Sequence, residues 1–100
     1  MTEAKTKAEL DEAVKSGKVL VDFWATWCGP CMMMGEKIER ELVPACPGLS
    51  VVKVNVDDAP ELAASFGIMS IPALFCFVDG QKRAEFIGVT DTAELKAVFA

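Results

Sequence analysis

Two cysteines separated by Gly29 and Pro30, Cys28 and Cys31, carry the strongest chemical signal in this 100-residue chain. A pair at that spacing can close an intramolecular disulfide across one turn, or supply two thiolates to a metal. The residues before it, Val19-Leu-Val-Asp-Phe-Trp24, form an almost unbroken apolar, β-favouring run, and an amphipathic helical stripe follows it. The pair therefore falls at a strand-to-helix junction. There, free backbone N–H groups and the helix dipole favour a thiolate. Cys28, at the tip, is expected to be the exposed, ionised nucleophile, and Cys31, one turn inside, the shielded resolving thiol. Pro30 suits the first helical turn and stiffens it.

An isolated pair of this kind serves equally well as half of a metal site. The buried strand before it and the flanking Trp24 and Trp27 turn the balance toward redox chemistry. Zinc sites usually combine two close-spaced couples, and Cys46 and Cys76 do not form a second one, so neither a metal nor an organic cofactor is expected. Cys76 lies in an apolar run and reads as inert core; Cys46, in a Pro-rich connection, reads as structural, with a regulatory thiol as the alternative. The chain has no His, which removes imidazole from any mechanism.

Asp22 is an acid among Val, Leu, Phe and Trp. Burial there would raise its pKa and make it a proton acceptor for Cys31. Lys53 interrupts the next apolar strand pattern; it either neighbours Asp22 and modulates that proton or simply faces solvent.

Several elements must position these groups. Thr6-Lys-Ala-Glu9 has capping-box spacing and opens a helix over 7–16, stopped by Gly17. A strand over 19–24 follows. Cys31, Met34, Ile38 and Leu42 make one stripe of a helix over 30–42, which Pro44 is expected to end. A strand over 50–56, a short helix over 59–66 and a strand over 74–78 come next. Asp79-Gly80 turns the chain into a last strand over 83–88, and Asp91-Thr-Ala-Glu94 opens a terminal helix whose Leu95, Val98 and Phe99 face inward. Strands separated by helices favour parallel neighbours, and the final hairpin adds antiparallel ones. The fold class is thus α/β, with a mixed sheet covered by helices on both faces.

The length fits a single domain over residues 1–100. Lys and Arg total 10 against 15 Asp and Glu, and the basic residues are scattered, so a nucleic-acid partner is not expected. No apolar run approaches the roughly 20 residues of a membrane span. The first ten residues alternate charges around no apolar centre, unlike an uncleaved secretory signal, so a cytoplasmic location is expected.

Trp27-Cys-Gly-Pro-Cys31 after Val21-Asp-Phe-Trp24, together with Gly67-Ile-Met-Ser-Ile-Pro72, resembles the thioredoxin family over nearly the whole chain. The resemblance implies a thioredoxin fold and protein-disulfide reduction, with Cys28 attacking, Cys31 resolving, Asp22 as buried acid and Lys53 beside it. It implies a cis Ile71–Pro72 peptide against the disulfide and a docking surface of Trp27, Gly29, Pro30, Ile71, Pro72 and Gly88. The partners it implies are disulfide-bearing proteins and a thioredoxin reductase dependent on NADPH or ferredoxin, with the chain itself a monomer. Family members usually begin with an extra strand; residues 1–6 are short and polar, so four strands are expected, with five as the variant. Glu36 stands where a family proline commonly kinks the active-site helix, which predicts a straighter helix. Met32-Met33-Met34 follows Cys31, with Met34 in the core and Met32 available to an adaptable apolar surface. Other readings are a disulfide oxidant or isomerase, disfavoured by the Gly-Pro dipeptide, and a binding module whose face is Trp27, Pro72 and Gly88.

Overall fold

A computed structural model describes residues 1–100. Its centre is a five-stranded sheet of order β1-β3-β2-β4-β5, built from β1 (Thr2–Glu3), β2 (Lys18–Trp24), β3 (Ser50–Asn55), β4 (Ala73–Val78) and β5 (Gln81–Ile87). β2 lies between parallel β3 and antiparallel β4, and β5 completes the hairpin with β4. The mixed sheet is the one the pattern predicts.

Alternation along β2 divides the core into two layers. Val19, Val21 and Phe23 face α1 (Lys7–Val14) and α4 (Pro60–Ser65), packing with Leu10, Leu62 and Phe75. Leu20 faces the opposite layer, where Met34, Ile38 and Leu42 of the active-site helix meet Leu95 and Phe99 of α5 (Thr92–Phe99). Period-two alternation therefore puts Asp22 and Trp24, two and four residues beyond Leu20, on the face covered by the helix that carries the cysteines. The capping box at Thr6 and Glu9 forms reciprocally, as expected. Asp91 caps α5 by accepting the Ala93 N–H.

The structure departs from the sequence reading at two places in the fold. Thr2–Glu3 does form a strand, parallel to β3, and Ala4 extends the pairing through its N–H to the Lys53 carbonyl at 3.0 Å. Both strand residues are exposed, so this edge leaves no apolar alternation to read. Pro44 does not end the helix. After α2 (Gly29–Lys37) comes a π-helical turn, Ile38–Leu42, and then α3 (Val43–Ala45), which contains Pro44. A proline has no N–H for the Arg40 carbonyl and its ring would strike that carbonyl in α geometry. The wider turn removes the conflict, with the Val43 N–H reaching the Ile38 carbonyl five residues back. The helix is thus reshaped at a proline further along the chain than Glu36.

Candidate active site

β2 ends at Trp24, and the chain turns through residues 25–28 into α2, with Cys28 as its N-cap in extended backbone geometry. This conformation aims the Cys28 sulfur at the open helix end, where it accepts the Cys31 N–H at 3.2 Å. Cys28 and Cys31 are joined by a disulfide, with Cα atoms 5.2 Å apart. An N–H already directed at the Cys28 sulfur would stabilise negative charge there once the bond opens.

The expected contrast in exposure is smaller than the sequence reading has it. Cys28 is 6% exposed and Cys31 1%, because Trp24, Val56 and Ile71 pack around the disulfide. Access differs more than area does. Cys28 lines an open groove of about 590 Å³ whose walls include Trp27, Pro30, Val56, Ile68 and Ile71, and Cys31 is not among the residues lining it. A partner entering the groove meets the first sulfur and not the second.

The Ile71–Pro72 peptide is cis, and the Ile71 carbonyl oxygen lies 4.0 Å from the Cys28 sulfur. Gly88 donates its N–H to the Pro72 carbonyl at 2.8 Å, tying the end of β5 to the proline loop. Its φ of +88° is a conformation that side chains other than glycine rarely adopt. Gly29 and Pro30 form the first turn of α2 beside the groove. Trp27 projects from the same rim, 70% exposed, and its indole N–H donates to Asp57 Oδ2 at 2.7 Å.

Asp22 is 1% exposed, and its Oδ1 has no hydrogen-bond partner. Burial raises its pKa from 3.8 to about 6, outweighing the opposing attraction of Lys53. Lys53 stands opposite Asp22 in the parallel register, half-buried, but makes no ion pair with it. Its ammonium sits over the Trp24 ring, 4.1 Å from the centroid. Two features of the site carry no sequence signal: the indole acceptor Asp57, in a loop after β3, and Met69, a 94% exposed side chain at the groove's rim.

A vicinal cysteine pair at a helix N-cap, one member facing a groove and the other sealed behind it, with a buried acid of raised pKa on the sheet face that this helix covers, defines a dithiol–disulfide exchange protein on an α/β scaffold. Comparison with known proteins specifies the class. The thioredoxin family model matches residues 1–100. The thioredoxin of Alicyclobacillus acidocaldarius is 43% identical over 96 residues, spanning 95% of this chain and 91% of the relative. That of Listeria monocytogenes is 41% identical over 98 residues, spanning 98% and 95%. Among solved structures, oxidised mitochondrial thioredoxin 3 of Saccharomyces cerevisiae superposes with a TM-score of 0.87 at 33% identity, covering 98% of this chain and 92% of that one. The Fasciola hepatica thioredoxin gives 0.85 at 31% identity, covering 98% and 96%.

The chain belongs to the thioredoxin family. It is a thiol-disulfide oxidoreductase that reduces protein disulfides, and its partners are a reductase and disulfide-bearing proteins. No helix is long and apolar enough to cross a membrane.

Proposed function

We propose that Cys28 is the attacking thiol and Cys31 the resolving thiol of a two-step exchange. The Cys28 thiolate attacks one sulfur of a substrate disulfide; a mixed disulfide forms and the other substrate sulfur leaves as a thiolate, which takes up a proton. Cys31 then gives its proton to the Asp22 carboxylate and attacks the Cys28 sulfur. The Cys28–Cys31 disulfide closes, and the second substrate sulfur leaves. The substrate gains two electrons and two protons, which the protein's dithiol supplies.

The observation that carries this assignment is the unequal access of the two sulfurs: Cys28 lines the groove and receives an N–H, whereas Cys31 is closed off. Asp22 supports the second step because a carboxyl titrating at about 6 can hold a proton transiently near neutral pH. Lys53 tempers that pKa through its charge. Trp27, Gly29, Pro30, Ile71, Pro72 and Gly88 form the docking surface, with backbone at Ile71 pairing to an extended substrate segment.

A thioredoxin reductase, driven by NADPH or by ferredoxin, returns the pair to the dithiol, and the protein works as a monomer in the cytoplasm. Cys46 and Cys76, buried and unpaired, accord with a reducing compartment. Equilibration with glutathione or dithiothreitol buffers tests the reading. A reduction potential near about −270 mV is expected for a general reductase; about −120 to −180 mV would assign a disulfide donor or isomerase instead.

A further inference from the structure

Cysteines aside, Asp22 and Thr90 are the polar residues that the fold buries, and the exchange reaction uses only the first. Thr90 lies in the loop between β5 and α5, where each of its polar groups has a partner. Its backbone N–H donates to Met34 Sδ at 3.3 Å, its carbonyl accepts from Lys37 Nζ at 3.4 Å, and its hydroxyl donates to the Gly88 carbonyl at 3.0 Å. Met34 and Lys37 both belong to α2, so the helix that carries the cysteines grips Thr90 from successive turns. Gly88 in turn donates its N–H to the Pro72 carbonyl at 2.8 Å. A continuous path of bonds therefore starts on α2 one turn beyond Cys31, passes through Thr90 and Gly88, and ends on the proline loop whose Ile71 lines the groove.

We propose that Thr90 is a positioning residue for substrate docking, which fixes Gly88 and Pro72 against the helix that presents Cys28. The proposal rests on the reading that Pro72 and Gly88 belong to the surface that receives the substrate. Gly88 is the point of that surface hardest to hold still, because glycine loses more conformational freedom on ordering than any other residue. Its φ of +88° strains any stiffer residue put in its place. Thr90 supplies the missing rigidity from outside: together with the Pro72 bond, its hydroxyl leaves Gly88 held at both N–H and carbonyl. The hydroxyl can act this way only while Thr90 is itself anchored, and Met34 is the anchor. Its fully buried thioether is the acceptor for a backbone N–H that has no other partner. Leucine there would fill similar space and accept nothing. A surface already ordered before the substrate arrives has less freedom to lose on docking, so the clasp acts on binding and not on the chemistry at sulfur.

The test follows reduction of insulin, and of hydroxyethyl disulfide as a substrate with no peptide segment, by the full chain with dithiothreitol as electron source and its background subtracted. Thr90→Val removes the hydroxyl and keeps the branched shape, Thr90→Ser keeps the hydroxyl, and Met34→Leu removes the sulfur acceptor. Thr90→Val and Met34→Leu should each raise KM for insulin about fivefold, the scale of one lost hydrogen bond, with kcat unchanged. Combined, they should be no worse than the poorer of the two, since the links act in series. Thr90→Ser should stay near the parent. Hydroxyethyl disulfide turnover and the reduction potential should hold throughout, while amide hydrogen exchange at Gly88 should quicken wherever a link is broken. Variants that lose thermal stability but keep the parent's KM for insulin, that slow both substrates equally, or a Thr90→Ser as poor as Thr90→Val, would overturn the positioning role. Trp27→Ala separates this from the reading beneath it. An unchanged KM for insulin in that variant would overturn the docking surface itself; a raised KM there, beside a parent-like Thr90→Val, would overturn the clasp alone.

Discussion

The four cysteines occupy two regions that treat the same side chain in opposite ways. Cys28 and Cys31 sit at the N-terminus of α2, beside a groove and with an N–H directed at the first sulfur. Cys76 lies in the middle of β4 under α5, fully buried, where loss of hydration pushes its thiol up to about 12, and Cys46 is buried at the far end of the same layer. All four are largely out of solvent, so exposure alone does not separate them. What separates them is the polarity of the backbone around the sulfur and a path by which another sulfur can reach it.

The widest separation is in activity. Cys28→Ser should reduce protein-disulfide turnover to the buffer background. Cys31→Ser should stop after one exchange and accumulate a mixed disulfide through Cys28, visible as a mass shift that dithiothreitol removes. Cys46→Ala and Cys76→Ala should retain turnover. A Cys76→Ala variant inactive while folded would break the comparison.

Asp22 is the buried acid of the redox region, and its cost is the next largest effect. Its folded pKa of about 6 lies above the unfolded value of 3.8, so the folded state binds the proton more tightly. Asp22 therefore costs little stability below pH 3.8, and the cost grows as pH rises to about 6 and then levels off. The shift corresponds to about 3 kcal/mol at pH 7. Asp22→Asn should raise stability at pH 7 by an amount of that order and make no difference near pH 3, as read by urea unfolding at both pH values. The same variant should slow release of the mixed disulfide.

In the inert region, Cys76→Ser puts a hydroxyl where the β4 thiol has none but apolar neighbours. A loss of about 2 kcal/mol is expected, lowering Tm by roughly 10 °C without changing the reduction potential. The smallest effect belongs to neither region: Thr6→Ala removes the α1 cap and should cost about 1 kcal/mol in urea unfolding, with turnover unchanged.

Much of this arrangement was legible because local pattern and tertiary role coincide. The apolar run of β2, the stripe through Cys31, Met34, Ile38 and Leu42, and the cap at Thr6 each state their own structure. Asp22 stood out as a charge in an apolar strand, and alternation fixes its face. Other features arise only when distant segments meet. β1 is two exposed residues whose pairing depends on the open edge of β3. The π turn exists because packing continues the helix past the point at which Pro44 alone would stop it. The low exposure of Cys28 comes from Trp24, Val56 and Ile71, three segments converging on the disulfide. Met69 was invisible because an exposed methionine next to a family motif carries no periodicity.

The division between the two cysteine regions is tested most directly by site-resolved alkylation of the reduced native protein with iodoacetamide at neutral pH, followed by mass spectrometry. Cys28 should be labelled first, Cys31 far more slowly, and Cys46 and Cys76 only after unfolding in urea. Labelling of Cys46 or Cys76 in the native protein at the rate of Cys28 would contradict the claim that position at the helix end and access through the groove decide which thiols react.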